Sequence, residues 1–240
     1  MKGGKIVIRV ALIGNPNVGK TAIFNNLTGS RQHVGNWPGV TVEKKEGKCT
    51  HKETEMEVVD LPGTYSLEAH AIDERIARDY IIDEKPDVVV DIVDASNIER
   101  NLYLTLLLLE LEANVVIALN KMDLAASKKY EFDIKELSLL LGVPVIPTVA
   151  KTQSGMDKLR DAVLDAAVRK DKHRKVTVGY GDDLEARIKE VEDLILTDTY
   201  LANTYPPRWL AIRLLERDDS VMDWISLSPK RDQIMEVARW

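Results

Sequence analysis

A single cysteine, Cys49, stands among 240 residues, so an internal disulfide is excluded and the composition fits a reducing compartment, the cytosol by default. No stretch is apolar over the roughly 18 or more residues that a spanning helix needs. The strongest candidate, Leu102 to Leu109, runs on past Glu110 and Glu112 into Val115–Leu119. Two glutamates in its middle argue for a buried helix followed by a buried strand. The N-terminal run Ile6–Ile13 is short, is broken by Arg9 and lacks a small-residue cleavage site, so it does not read as a signal peptide. A basic excess is also missing. Lysine and arginine number 33 against 39 acidic residues, a net of −6, and nucleic-acid binding usually leaves a basic footprint. Internal repeats and low-complexity segments are absent.

What the chain does have is a core. Hydrophobic residues make up 45 % and charged residues 30 %, a balance that excludes intrinsic disorder. Ile6–Ile13, Met56–Leu61, Val88–Val93, Val115–Leu119 and Val143–Ile146 are nearly continuous in apolar residues, as strands buried on both faces of a parallel sheet should be. Helical patterns fall between them at Thr21–Leu27, Ile72–Ile82, Leu102–Leu111, Ile134–Leu141 and Met156–Val168. This alternation predicts an α/β fold with a doubly wound, mostly parallel sheet. Thr41–Lys52 followed by Glu53–Leu61 alternates more and carries charge, which predicts an antiparallel edge hairpin.

The basic run Arg169–Lys175 reads as a solvated helix end, its cations matched to the negative end of the helix dipole. Beyond it strand signals cease. Leu184, Ile188, Val191 and Ile195 recur at helical spacing, Pro206-Pro207 opens a second helix, and Ser228-Pro229 is predicted to cap a last one. Residues 177–240 hold 13 acidic and 8 basic residues, a net of −5. The expected organisation is therefore a domain over 1–170 and a small acidic all-α domain over 177–240.

Three motifs carry chemistry. Gly14-Asn15-Pro16-Asn17-Val18-Gly19-Lys20-Thr21 matches the phosphate-binding loop G-x-x-x-x-G-K-[ST] between a strand and a helix, the context that confirms it. Backbone N–H groups there would wrap phosphates, Lys20 would hold the β- and γ-phosphates, and the Thr21 hydroxyl would ligate Mg²⁺. Asp60-Leu61-Pro62-Gly63 ends a strand, where Asp60 can approach Mg²⁺ through water and the Gly63 N–H can meet a γ-phosphate. Asn120-Lys121-Met122-Asp123 decides the base: a carboxylate at Asp123 can accept from the guanine N1–H and exocyclic amine, a donor pair that adenine lacks. Together they point to GTP and GDP as ligands.

With these motifs residues 1–170 resemble a Ras-like, translation-factor-related GTPase. His33-Val34-Gly35-Asn36-Trp37-Pro38-Gly39-Val40-Thr41-Val42-Glu43, with the Gly14–Thr21 loop and Asp60–Leu67, more closely resembles the ferrous iron transport protein B family, in its cytosolic N-terminal GTPase domain. The tail, with Tyr205–Ala211 and Leu214–Asp218, resembles that family's helical domain, described as slowing GDP release. The resemblance implies that Thr41, with Gly39 and Val40 beside it, closes onto Mg²⁺ and the γ-phosphate. It also implies that Asn17 ligates K⁺, with switch backbone near Asn36-Trp37 completing the site. A cation there could supply the charge of an arginine finger, worth roughly 10³–10⁵ in rate. Trp37 reads equally as a hydrophobic anchor for its loop.

Two departures stand out. Thr64 takes the place of a water-orienting glutamine, which implies slow hydrolysis organised by cations and backbone, with Lys20, Thr41, Gly63 and Asn17 as the catalytic set. Thr148-Val149-Ala150 occupies the last base-contacting loop, where Val149 lacks a hydroxyl and the Ala150 N–H is expected to meet guanine O6. His33, His51, His70 and His173 show no metal-ligand spacing, so no iron site is expected in this chain. The resemblance places the iron path in a membrane-spanning permease part of the same full-length protein, with this domain at the cytoplasmic face of the membrane, and leaves room for a homo-oligomer. Two other readings compete: a soluble K⁺-dependent GTPase of ribosome or tRNA maturation, which the acidic tail opposes, and a nucleotide-gated binding module without useful turnover.

Overall fold

The computed structural model describes residues 7–29, 32–68, 70–169 and 177–239; most of the basic run, with His173, lies outside them. The chain divides into two compact units, Met1–Leu109 with Ala113–Val176, and Glu110–Glu112 with Thr177–Trp240.

The first unit is built on seven strands: β1 (Val7–Gly14), β2 (Gln32–Asn36), β3 (Glu43–His51), β4 (Thr54–Asp60), β5 (Val88–Asp94), β6 (Val115–Asn120) and β7 (Val145–Pro147). Their order is β2-β3-β4-β1-β5-β6-β7. β4, β1, β5, β6 and β7 run parallel, whereas β3 is antiparallel to both its neighbours. Every residue of β6 is buried, as a valine- and isoleucine-rich strand with covered faces requires. Helices α1 (Lys20–Thr28), α2 (Ile72–Glu84), α3 (Ile98–Glu110), α4 (Met122–Ser127), α5 (Ile134–Leu141) and α6 (Met156–Val168) complete the unit. Ile23, Phe24 and Leu27 of α1 and Leu159 and Val163 of α6 join Leu12, Val90 and Val116 in one core.

The mostly parallel sheet is as expected, but its edge is not. The β3–β4 hairpin forms, yet β4 pairs with β1 on its other side and is interior. The edge strand is β2, in a segment read from sequence only as a switch loop. Gln32, His33, Val34 and Asn36 are exposed, so no alternation announces the strand, and its pairing with β3 makes it one. α3 begins at Ile98, earlier than the apolar run suggested, because Asp94 accepts from the Ser96 N–H at 2.9 Å and starts a 3₁₀ turn that leads into it.

The second unit contains α7 (Asp182–Leu196), α8 (Thr199–Thr204), α9 (Pro207–Leu215), α10 (Met222–Ile225) and α11 (Arg231–Ala238). Trp209 is 1 % exposed, and Tyr205 stacks on Trp224 with centroids 4.6 Å apart. α8 and α10 are too short for periodicity to show. Ser228 does not cap α11, which starts at Arg231. Its hydroxyl donates to Asp198 at 2.5 Å and accepts from the Lys230 N–H at 3.1 Å, so it braces the turn before the helix. Among the described residues no helix is long and apolar enough to cross a membrane.

Candidate functional site

The ends of β1, β4 and β6 carry the three motifs, and the sheet order places β1 beside β4 and β5, with β6 next to β5. Gly14 ends β1 so close to β5 that a Cβ would stand 2.6 Å from the Ile92 carbonyl oxygen. Gly19 opens α1 at φ 97°, a conformation that L side chains rarely adopt. A Cβ there would also collide with the Asn120 amide. No side chain caps α1, so its first N–H groups are free to meet an anion. Asn17 is exposed and left-handed at φ 67°.

Asn120, at the end of β6, joins the phosphate loop to the loop after β7. Only 2 % exposed, it donates from Nδ2 to the Val18 carbonyl at 2.8 Å. Its Oδ1 accepts from the Ala150 N–H at 2.9 Å and from the Thr148 hydroxyl at 3.3 Å. The Ala150 N–H, expected to meet the base, is thus already paired with Asn120. Lys121, at φ 59°, donates to the Asn17 carbonyl and to Asp94, each at 2.7 Å. Burial works against the charged Asp94, but bonds from Lys121 and Ser96 outweigh it and hold its carboxyl below the ordinary range. Asp123 is exposed at the start of α4, free to face a base.

Lys20 and Asp60 form an ion pair at 2.5 Å with both side chains mostly covered. Burial pushes the Asp60 carboxyl above its ordinary range even with Lys20 beside it. The Leu61 N–H donates to Leu12 O at 2.9 Å and the Thr64 N–H to Gly14 O at 3.2 Å, tying the Asp60–Gly63 turn to the phosphate loop. The Thr64 hydroxyl donates to Ser66 O at 2.8 Å. Arg100 lies over the Tyr65 ring at 4.2 Å.

Gly39, Val40 and Thr41 stand apart from this assembly. Among the described residues no hydrogen bond or ion pair joins Trp37–Thr41 to Gly14–Thr21. Trp37 is 7 % exposed, which favours the anchor reading of its ring. Sequence reasoning missed Tyr80, whose ring stands edge-on to that of Trp37, and also missed Asp94 and Arg100. Asp94 had one legible signal, a carboxylate at the end of an apolar strand in register with Asn120.

Two family models match the chain: ferrous iron transport protein B over residues 8–163 and the FeoB cytosolic helical domain over residues 180–239. The Fe(2+) transporter FeoB of Methanocaldococcus jannaschii is 50 % identical over 94 % of this chain and 34 % of its own length. A fused Fe(2+) transport protein A and FeoB transporter of Porphyromonas gingivalis is 43 % identical over 93 % of this chain and 27 % of its own. The chain thus spans about a third or less of these relatives. The cytosolic domain of the T. maritima FeoB iron transporter in apo form superposes with a TM-score of 0.84 at 38 % identity, covering 97 % of this chain and 96 % of that one. Its GMPPNP form gives 0.84 at 36 % identity over 96 % of each chain. A P-loop GTPase fold followed by a helical unit, matched by two family models over nearly its whole described length, makes this chain a member of the ferrous iron transport protein B family.

Proposed function

We propose that this chain is a guanine-nucleotide switch that hydrolyses GTP slowly, with Mg²⁺ and K⁺, and regulates the membrane permease part of a longer ferrous-iron transporter from its cytoplasmic face. The observation that carries the nucleotide reading is Asn120, which ties the Val18 carbonyl, the Thr148 hydroxyl and the Ala150 N–H into one frame, with Asp123 exposed three residues on. Solved GDP and GMPPNP forms of the T. maritima relative support guanine nucleotides as ligands. The acidic helical unit would slow GDP release.

The donor set suits Mg²⁺. Thr21, Thr41 and Asp60 offer hard oxygens with one carboxylate, and among the described residues no group of three or more histidine, cysteine, aspartate or glutamate residues converges on a metal. Mg²⁺ commonly takes one or two carboxylates and completes its shell with phosphate and water. When bound it would neutralise charge developing on the phosphates. The chain's own residues bind and orient: Lys20 holds the β- and γ-phosphates, loop amides wrap them, and the Gly63 N–H meets the γ-phosphate. Thr64 offers no carboxamide to orient the attacking water, which is why a slow rate is expected.

Asn17 supports the K⁺ reading because Lys121 pins its backbone while the side chain stays exposed. Its left-handed φ gives a competing reason for asparagine, which tolerates that conformation better than most residues. Asn17→Gly separates the two, since glycine keeps the backbone and loses the carbonyl ligand. GTP turnover of wild type and Asn17→Gly is measured in K⁺ and in Na⁺ at equal ionic strength. Faster wild-type turnover in K⁺, lost in the variant with GDP affinity kept, is expected. Equal wild-type rates in both salts end the K⁺ assignment, and no preference for GTP over ATP in binding ends the guanine assignment.

A further inference from the structure

The loop Trp37–Val42 joins β2 to β3. The Trp37 N–H donates to the Val42 carbonyl at 2.9 Å, and the Val40 N–H donates to the Trp37 carbonyl at 3.3 Å. Both backbone groups of Trp37 are therefore tied to the two residues that flank Thr41, so Trp37 and Thr41 move together. The Trp37 ring stands edge-on to Tyr80 of α2, centroids 5.5 Å apart and planes at 78°, a favourable aromatic geometry. Lys44 Nζ covers the ring at 4.9 Å from its centroid. Tyr80 is the half-buried member of the pair, and burial pushes its hydroxyl up to about 12.

The seat is not fully satisfied. The indole N–H of Trp37 is buried without a hydrogen-bond partner, a cost that offsets part of what burial of the ring contributes. Beside the pair lies a cavity of about 740 Å³ lined in part by His33, Trp37, Pro38, Lys44, Val58 and Tyr80. The ring thus has both a reason to leave and room to turn.

We infer that Tyr80 is a positioning residue for the first switch: it holds Trp37, and through it Thr41, in an off position that GTP must displace. The inference rests on the switch reading proposed above. That reading draws on the Trp37 backbone to complete a cation site at Asn17, whereas here the Trp37 carbonyl is taken by the Val40 N–H and the ring is taken by Tyr80. Seat and site compete for one residue. Because α2 follows the Asp60–Gly63 turn in the chain, Tyr80 also links the Trp37–Val42 loop to the helix that comes directly after that turn.

The test uses the full chain labelled with 5-fluorotryptophan, whose Trp37 ¹⁹F resonance is assigned by its loss in Trp37→Phe. Affinities for GDP and GMPPNP are measured alongside in wild type, Tyr80→Phe and Tyr80→Leu. The Trp37 resonance is expected to move when GMPPNP replaces GDP. Tyr80→Leu with GDP is expected to shift it toward the GMPPNP position and to raise the GMPPNP-to-GDP affinity ratio about fivefold. Tyr80→Phe, which keeps the ring, should behave as wild type. A Trp37 resonance identical with both nucleotides in wild type overturns the inference while nucleotide binding itself stands. So does a Tyr80→Leu chain that weakens both nucleotides alike, the mark of a merely structural role. Should Tyr80→Leu fail to fold, the wild-type and Tyr80→Phe spectra decide: a Tyr80→Phe chain without the wild-type response also overturns it. Failure to bind either nucleotide in wild type would instead refute the switch reading.

Discussion

In the proposed nucleotide switch the loops Gly14–Gly19 and Trp37–Val42 both take part, yet they are held in different ways. The first is stapled by Asn120, Lys121 and the Thr64 N–H to the ends of β4 and β6 and to the loop after β7. The second hangs on two backbone bonds of its own and on one aromatic seat with an unpaired donor. Under that proposal the difference gives them separate tasks. Recognition of base and phosphate needs a frame that does not change, and reporting the γ-phosphate needs an element with two nearly balanced positions.

The comparison can be broken from the rigid side. Asp123→Asn should leave the frame intact, weaken GTP binding by about 10⁴-fold and favour xanthine nucleotides, because an amide presents a donor where xanthine offers an acceptor. Titration with labelled GTP, ATP and XTP checks this, and an unchanged GTP preference removes Asp123 from the base site. Asn120→Ala strikes the frame itself. It leaves the buried Val18 carbonyl and Ala150 N–H without partners, so about 100-fold weaker binding of GDP and GTP alike is expected, with a loss of about 3 kcal/mol in stability. Equal damage to both nucleotides is the sign of a frame residue; calorimetric titration and thermal unfolding read both effects.

A smaller effect sharpens the contrast from within the sheet. Asp91, in β5, is 1 % exposed, and burial pushes its carboxyl up to about 7 although the Thr105 hydroxyl donates to it at 2.6 Å. A carboxyl whose folded pKa lies above its unfolded one binds its proton more tightly in the folded chain. Its contribution is thus fully present below the ordinary value of 3.8 and is lost as pH rises to about 7. Asp91→Asn should flatten that slope and raise the melting temperature at pH 8 by about 5 °C. A melting profile with the same pH slope in variant and wild type would show that Asp91 is not its source.

What could be read from sequence follows the same division. Gly14–Thr21, Asp60–Gly63 and Asn120–Asp123 are contiguous, and each sits at the end of an apolar strand, so spacing alone placed them. The parallel core was legible because β5 and β6 are almost wholly apolar. β2 was not, since four of its five residues are exposed, carry no pattern and gain strand form only from β3. Tyr80 was hidden for another reason: it lies within an ordinary helix, and its partner Trp37 is far away in the chain. The Asn120 partner of the Ala150 N–H was not legible either, because the two residues are thirty apart in the chain and only the fold brings them together.

Amide hydrogen exchange of the full chain with GDP and with GMPPNP compares the two loops most directly. The Trp37 and Val40 amides, whose bonds define the seated loop, should change rate between the nucleotides by at least about tenfold. The Thr64 and Ala150 amides, bonded within the frame, should be protected equally in both. Equal rates at Trp37 and Val40, or changes at Thr64 and Ala150 as large as theirs, would contradict the division of the site into a fixed frame and a displaceable loop.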